Sequence, residues 1–310
     1  MAERAETISL SMNGRRIPFS KGLLAQSFMA TGLQPGLAFG IAQAVQDELT
    51  GRGEDPVTVA KVREVARDRL QELAGPQYAR RYVRLRDLSH MRRPLIVLIG
   101  GTTGVGKSTI ATEVAHRLGI TRISSTDSIR EVMRGIFTAD LMPAIHESAF
   151  SAWRGLRVPV PEGANPVIVG FREQTAVVST GIKALIDRAV LEGNSMVVEG
   201  IHLVPGYLDL NHVGNARVVE LIVGVKDEQS HLSHFYIREA QTEGSRPRER
   251  YISNFENIRL LGEYIQRLAR EHAIPIIYSH DLDHTIDDVL EYVITAAIDT
   301  ERPTASADER

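Results

Sequence analysis

The sequence predicts an α/β protein: a doubly wound parallel sheet, preceded by a smaller domain made of a hairpin and helices. Three observations predict this class. From Pro94 onward, short apolar runs alternate with helix-compatible segments, which is typical of a parallel sheet covered on both faces. The run over residues 94–99 leads into a glycine-rich turn and then into a helical pattern. Before residue 85, the pair Asn13-Gly14 marks a hairpin turn, and amphipathic segments follow it.

The individual elements follow in order from these patterns. We predict a hairpin over residues 8–19 and then helices over residues 21–31, 35–49 and 56–72. Residues 82–93 are rich in arginine and indicate either a linker or a helix packed across the join. Strands are predicted over residues 95–99, 120–124, 195–198, 217–225 and 275–279. Helices between and after these strands are predicted over residues 107–118, 126–134, 142–153, 172–192, 228–243, 248–271 and 286–296.

Composition excludes several classes of protein. Of the 310 residues, 43% are hydrophobic and 24% are charged, as in ordinary soluble globular proteins. The absence of cysteine excludes disulfides, thiolate catalysis and cysteine-based zinc sites. A net charge of −3 argues against a nucleic-acid-binding surface, and no apolar run approaches the ~20 residues that cross a membrane. These features favour a cytoplasmic protein and leave the oligomeric state open, a homo-oligomer included.

The glycine-rich turn fits the nucleotide-binding spacing G-x-x-x-x-G-K-[ST] without a mismatch, and we call residues 101–106 the phosphate loop. Glycines let backbone N–H groups approach a phosphate, and the N-terminus of the following helix adds partial positive charge. Lys107 would reach the β- and γ-phosphates of a nucleotide, and Ser108 would ligate Mg²⁺. The predicted nucleotide-binding residues are Gly101, Thr102, Thr103, Gly104, Val105, Gly106, Lys107, Ser108 and Thr109.

A second cluster follows the second predicted strand, at the edge where parallel sheets bind their ligands. Asp127 would there accept a proton from an attacking hydroxyl or hold magnesium through water; the alternative is that it caps the next helix. Arg130 and Arg134 lie one helical turn apart and would grip an anionic substrate; the alternative is that both are solvated surface side chains.

Two further clusters carry charge. An apolar strand ends at Glu199, as a Mg²⁺ ligand requires, and Gly200 would let the chain pass near the phosphates; the alternative is a buried strand end. Arg246, Arg248 and Arg250 are too dense for an ordinary helix start and predict a mobile lid over phosphates; the alternative is a solvated charged turn.

These residues leave several functions open. A phosphate loop alone is compatible with a kinase, a hydrolase or a switch protein. Asp127 and the arginine cluster favour phosphoryl transfer to an acceptor hydroxyl, since a pure nucleotide sensor needs no base beside an acceptor. The acceptor itself is not identified by these motifs.

Taken together, the motifs resemble those of archaeal-type 2-phosphoglycerate kinases. The resemblance runs from residue 94 to residue 283 and rests on the segments IGGTTGVGKST, SSTDSIREVMR, residues 143–153, VEGIH and residues 246–251. It implies a P-loop kinase fold, ATP and Mg²⁺ as cofactors, and phosphorylation of 2-phosphoglycerate to 2,3-bisphosphoglycerate. The alternatives are a kinase of the same fold for another hydroxyl acceptor (a sugar acid, an antibiotic or a nucleotide sugar) and a non-catalytic ATP-sensing protein.

The resemblance also implies roles for the charged residues. A small phosphorylated acid brings a phosphate and a carboxylate, which the acceptor half of the site must neutralise. Arg130, Arg134 and Arg172 are the candidates for that task. Asp127 would orient or deprotonate the acceptor hydroxyl, and Lys107 would hold the transferred phosphoryl together with Mg²⁺ and the lid arginines.

The N-terminal region resembles an ATP-cone, a nucleotide-sensing domain that precedes the kinase in some members of that family. Gly14 and Lys21 fit its pattern, whereas Ser11 and Met12 stand where a cone usually carries basic residues. On this resemblance we expect an ATP-cone-like regulatory domain over residues 1–85. A P-loop kinase domain is expected over residues 86–300, followed by a disordered tail over residues 301–310.

Overall fold

Two sheets organise the computed structural model, which describes residues 8–12, 14–210, 213–241 and 248–299. The described part divides into two compact units: one runs up to Met91 and includes Arg117–Gly119, and the other comprises the remaining residues. The predicted domain boundary and the roles given to the two domains stay predictions. The predicted tail lies outside the described residues.

The N-terminal unit joins the predicted hairpin to four helices. Strands β1 (Ser9–Met12) and β2 (Arg15–Pro18) pair antiparallel, and a short β3 (Val57–Thr58) pairs parallel with β1. The helix predicted from residue 56 was wrong at its start, because Val57 is buried in the sheet and the Thr58 hydroxyl caps a helix that begins at Val59. The helices are α1 (Lys21–Met29), α2 (Pro35–Gly51), α3 (Val59–Leu73) and α4 (Pro76–Ser89).

A single apolar core holds this unit together and decides the open question about residues 82–93. Phe28 of α1 is fully buried, and its ring meets Tyr82 of α4 edge to face at 5.5 Å between centroids. Ala79, one turn earlier on α4, is buried in the same cluster. The arginine-rich segment is therefore helical as far as Ser89, because its apolar face packs on the N-terminal core.

The second unit confirms the predicted parallel sheet with helices along the chain. Its strands are β4 (Leu95–Gly100), β5 (Ile123–Ser125), β6 (Met196–Gly200), β7 (Arg217–Gly224) and β8 (Ile276–Tyr278). They are all parallel, in the order β5-β6-β4-β7-β8, and the central β4 is buried along its whole length. The helices are α5 (Lys107–Arg117), α6 (Thr126–Ile136), α7 (Pro143–His146), α8 (Pro166–Leu191), α9 (Glu228–Gln241), α10 (Arg248–Ile252), α11 (Phe255–Glu271) and α12 (Leu282–Asp299). None of the described helices combines the length and the apolarity that a membrane crossing needs.

Two of the predicted helices were wrong because side-chain hydrogen bonds to backbone carbonyls interrupt them. The helix predicted over residues 142–153 is α7 followed by a 3₁₀ helix (Ala149–Gly155), with Glu147 and Ser148 extended between them. The helix predicted over residues 248–271 breaks between α10 and α11, where the Asn254 side chain donates to the Arg250 carbonyl at 2.9 Å. Such side-chain bonds compete with the helical backbone pattern.

The carboxyl group of Glu220 on β7 is a destabilising feature of the sheet at neutral and alkaline pH. Burial raises the pKa of Glu220 from 4.5 to about 7. Between these two values the folded state binds more protons than the unfolded state, so the free energy of unfolding falls as the pH rises.

We expect Glu220→Gln to raise the midpoint of thermal unfolding at pH 8 and to leave it nearly unchanged at pH 4, where the wild-type group is largely protonated in both states. The gain is at most ~3.5 kcal/mol, at about 1.4 kcal/mol per pKa unit. Calorimetry of both proteins at the two pH values measures it. The exposed Glu162→Gln is the matched control and should move neither midpoint. Equal melting of the wild type and the Glu220 variant at pH 8 contradicts the prediction.

Candidate active site

Strand register brings the phosphate loop, Glu199 and the strand that leads to Asp127 to one edge of the second sheet. Ile99 near the end of β4 pairs with Glu199 of β6, and Ser125 at the end of β5 pairs with the same glutamate. The phosphate loop leaves β4 at this edge, and α5 then begins at Lys107. Glu199 therefore lies between the strand that enters the phosphate loop and the strand that leads to Asp127.

Lys107 places a buried positive charge beside Glu199. Its side chain is 8% exposed, and Nζ donates to the Thr102 carbonyl across the phosphate loop at 2.7 Å. Burial lowers the pKa of Lys107, while the carboxylates of Glu199 and Asp127 act in the opposite direction. The Ser108 hydroxyl donates to Glu199 Oε1 at 2.9 Å, so the two predicted magnesium ligands touch each other.

The donors present fit a nucleotide with magnesium. Within the described part of the chain, the backbone N–H groups of residues 103–106 donate to no other protein group. Ser108 and Glu199 supply oxygen atoms, which Mg²⁺ prefers, and Mg²⁺ commonly takes only one or two protein ligands beside phosphates and water. Among the described residues, no group of three or more histidine, aspartate or glutamate side chains could hold a metal ion without such help.

Asp127 lies at the start of α6 with a side chain that is 70% exposed. The residue that caps this helix is Ser125 and not Asp127, because the Ser125 hydroxyl accepts from the Ser128 N–H at 3.0 Å. The Asp127 carboxylate lies 3.7 Å from Nε of Arg130. The Asp127 carboxylate is therefore accessible from solvent, and its charge acts to raise the pKa of Lys107.

The protein itself holds both arginines of α6. Arg130 Nη1 donates to the carbonyls of Ile145 and Glu147 at 2.9 and 2.8 Å. Arg134 Nη1 donates to both oxygens of Glu131 at 2.7 and 2.9 Å, and Arg130 Nη2 reaches the same carboxylate at 3.2 Å. With side-chain exposures of 12% and 35%, neither arginine is a freely solvated surface group. Each keeps a buried Nε–H that has no hydrogen-bond partner among the described residues.

A buried chain of hydrogen bonds runs through His202, which the sequence analysis left out of the site. His202 Nε2 lies 2.9 Å from Gln174 Oε1, and the Gln174 amide donates to the carbonyls of Ala144 and Glu147. Since both amide hydrogens are used, the proton shared with the Gln174 oxygen belongs to His202 Nε2. Burial lowers the pKa of His202 to about 4, so the ring is neutral. The Thr126 hydroxyl therefore donates to Nδ1, at 2.9 Å.

This chain ties the start of α6 to the same segment that binds Arg130, because Arg130 and Gln174 both donate to the Glu147 carbonyl. Gly200 makes room for it: a Cβ on Gly200, whose φ is +147°, would collide with the Thr126 side chain. Gly200 was predicted to let the chain pass near the phosphates, whereas in the structure it leaves space for the Thr126 side chain.

Arg172 has different partners from the rest of the predicted site. It is exposed on α8, and its Nε donates to the Tyr207 hydroxyl at 3.0 Å. The Tyr207 hydroxyl in turn lies 3.2 Å from the Tyr264 hydroxyl. The hydrogen bond to Tyr207 raises the pKa of Arg172. This hydrogen bond goes to a residue outside the predicted site.

One of the three predicted lid arginines can be placed. The Arg250 guanidinium donates to the hydroxyl of Ser148, next to the Glu147 carbonyl that Arg130 binds. Arg246 and the side chain of Arg248 lie outside the described residues.

Two histidines that the sequence analysis missed contact the phosphate loop. His231 Nε2 lies 2.8 Å from the Thr103 carbonyl, and His234 Nδ1 lies 2.8 Å from the Gly104 carbonyl. Their spacing on the predicted helix was the available signal, because residues three apart share a helix face.

Curated relatives cover nearly the whole chain, although no protein-family model matches it. Among solved structures, shikimate kinase from Acinetobacter baumannii covers 70% of this chain and 99% of its own, at 18% identity and a TM-score of 0.39. The chain is 38% identical to 2-phosphoglycerate kinase of Methanopyrus kandleri over 92% of this chain and 86% of the relative. It is 40% identical to 2-phosphoglycerate kinase of Methanothermobacter thermautotrophicus (88% and 89%) and of Pyrococcus furiosus (92% and 92%). These identities over most of each sequence show that the chain is a phosphotransferase and belongs to the 2-phosphoglycerate kinase family.

Proposed function

We propose that the chain transfers the γ-phosphoryl group of ATP to the free hydroxyl of 2-phosphoglycerate and forms 2,3-bisphosphoglycerate. The hydrogen-bonded pair of Ser108 and Glu199 beside the buried Lys107 ammonium carries this proposal. The name shared by relatives at 38–40% identity supports the choice of acceptor.

In the nucleotide half, the free N–H groups of the phosphate loop would bind the β- and γ-phosphates together with Lys107. Ser108 and Glu199 would hold Mg²⁺, the glutamate directly or through water. The ion would neutralise the charge that develops on the transferred group. The lowered pKa of the buried Lys107 side chain supports this role, because an anion beside it would stabilise the charged form.

In the acceptor half, Asp127 would take the proton of the attacking hydroxyl. The hydroxyl oxygen bonds to the γ-phosphorus, the bond to the bridging oxygen of ADP breaks, and the proton passes from Asp127 to water. The Nε–H groups of Arg130 and Arg134 have no hydrogen-bond partner among the described residues. They would bind the phosphate or carboxylate of the acceptor once the acceptor displaces the protein groups that now bind the other nitrogens of each guanidinium. Arg172 and Arg250, with Arg246 and Arg248, complete the proposed set of cations.

For the N-terminal unit we propose the ATP-cone-like regulatory role expected for residues 1–85, with residues 86–300 as the kinase domain. A separate apolar core, in which Phe28 and Leu70 are fully buried, supports an independent domain. Lys21, which fits the cone pattern, donates to Gln43 at 2.6 Å.

A coupled assay of ADP release on a panel of phosphorylated and unphosphorylated hydroxy acids tests the proposed reaction. We expect release that depends on 2-phosphoglycerate and Mg²⁺, with one bisphosphorylated product per ADP by phosphorus NMR. Turnover with an unphosphorylated acid alone contradicts the proposed acceptor. Absence of acceptor-dependent release across the panel supports a nucleotide sensor instead.

Lys107→Met should abolish transfer without unfolding the chain. The side chain is buried and apolar along its stem, so methionine fills the space while the ammonium is lost. We expect kcat to fall by at least about 10²–10³-fold, which is the typical loss when one preorganised donor to the transition state is removed. Lys183→Met on α8, where the exposed lysine pairs with Asp187, is the control. Near-normal turnover of the Lys107 variant in steady-state assays contradicts the assignment of the phosphate loop.

Asp127→Asn should reduce turnover far more than ATP affinity. The amide keeps the size of the carboxylate but cannot accept the acceptor's proton, which is worth about 10²–10⁴-fold in rate. Steady-state kcat and the Kd of ATP by calorimetry separate the two effects, with the exposed Asp140→Asn as control. Losses of equal size in kcat and in ATP affinity would indicate a structural or metal-binding role for Asp127.

A further inference from the structure

We infer that His231 and His234 of α9 are positioning residues that orient two peptide groups of the phosphate loop toward the nucleotide. His231 holds the Thr103 carbonyl and His234 holds the Gly104 carbonyl, each at 2.8 Å. The inference rests on the proposed function only in taking ATP as the ligand.

The two contacts act through the geometry of the peptide bond. Both peptide bonds are trans, so the N–H of each lies on the side opposite to its carbonyl. Holding the Thr103 carbonyl toward α9 directs the Gly104 N–H away from α9, and holding the Gly104 carbonyl does the same for the Val105 N–H. These are two of the N–H groups that have no partner within the described part of the chain.

The direction of both hydrogen bonds is fixed by chemistry. A carbonyl only accepts, so His231 donates from Nε2 and His234 donates from Nδ1. Burial lowers the pKa of His231 to about 4, which leaves its ring neutral and its Nδ1 without a proton. That Nδ1 is buried and has no partner among the described residues. The hydrogen bond to the phosphate loop is thus the one hydrogen bond of this ring within the described part.

Aromatic packing holds the His231 ring in place. It stacks on Phe235 at 5.5 Å between centroids and meets Phe255 edge to face at 5.3 Å. Phe235 in turn stacks on Tyr251 at 5.1 Å. A donor fixed in this way loses little conformational entropy when a ligand binds, which is the condition for a preorganised site.

Gly104 marks the direct contact between the phosphate loop and α9. A Cβ on this residue would lie 2.5 Å from Phe235 Cζ and 3.0 Å from His231 Nε2. Its φ is +87°, a conformation that also favours glycine. The nucleotide-binding spacing does not require glycine at this position, so the positive φ and the approach of α9 together account for it.

The two histidines donate from different ring nitrogens, and this permits a crossed substitution test. The amide nitrogen of glutamine can take the place of Nε2, and that of asparagine can take the place of Nδ1. His231→Gln and His234→Asn therefore keep a donor to the phosphate loop, whereas His231→Asn and His234→Gln lose it. Each position supplies its own matched control.

The measurement is the Kd of Mg²⁺·ATP by calorimetry on the full chain, together with the KM for the acceptor and a thermal melt of each variant. We expect the two variants that lose the donor to bind ATP about 3- to 10-fold more weakly than their matched controls, the size of one net hydrogen bond. The KM for the acceptor should differ little within each pair, because the contacts lie on the nucleotide side.

The outcomes separate the inference from the proposed function. In a chain that binds ATP, equal Kd values within each pair, or a preference for the same amide at both positions, overturn the inference alone. A wild-type chain that binds no ATP overturns the proposed function and the inference with it. If His231→Asn fails to fold, the half-buried His234 pair decides the matter by the same criterion.

Discussion

The buried ammonium group of Lys107 is the constraint on which this edge of the sheet depends. A charge taken out of water is costly unless nearby groups compensate for it. Here the Thr102 carbonyl and the negative charges of Glu199 and Asp127 do so only in part, since the pKa of Lys107 stays lowered. An anion bound by the phosphate loop would complete the compensation. Burial of the lysine and the proposed binding of a polyphosphate are therefore two aspects of one electrostatic arrangement.

The proposed acceptor half is held by neutral hydrogen bonds instead. The chain from Thr126 through His202 to Gln174 has every proton assigned and stays uncharged above about pH 4. A fully satisfied buried network of this kind favours one arrangement over others. It fixes the helix that carries Asp127 and Arg130, while the side chain of Asp127 itself stays exposed. The proposed nucleotide half thus contains a charge that is only partly compensated, whereas the proposed acceptor half is held by a neutral hydrogen-bond network.

Much of the fold and of the arrangement of the candidate nucleotide site could be predicted, because the signals are local. The apolar run of β4, the glycine spacing and the strand end at Glu199 are each visible in a few residues, and parallel register then brings them together. The interruption at Glu147 could not be predicted, because its cause is the capture of backbone carbonyls by Arg130 and Gln174 from distant segments. The contacts of α9 with the phosphate loop were missed for the same reason.

For the proposed acceptor residues, the sequence indicated the residue types but not their geometry. Spacing placed Arg130 and Arg134 on one face of a helix, and both are indeed held by Glu131. Spacing could not show that Arg130 is mostly buried and already bonded to the carbonyls of Ile145 and Glu147, because these lie 15 and 17 residues further along the chain, in α7 and in the link that follows it.

A crystal structure with Mg²⁺, a non-hydrolysable ATP analogue and 2-phosphoglycerate tests the central claim most directly. The account predicts that Lys107 Nζ leaves the Thr102 carbonyl for a phosphate oxygen and that Ser108 Oγ lies ~2.1 Å from the metal. The acceptor hydroxyl should lie within hydrogen-bond distance of Asp127. An analogue bound away from the phosphate loop, with Lys107 still on Thr102, would contradict it.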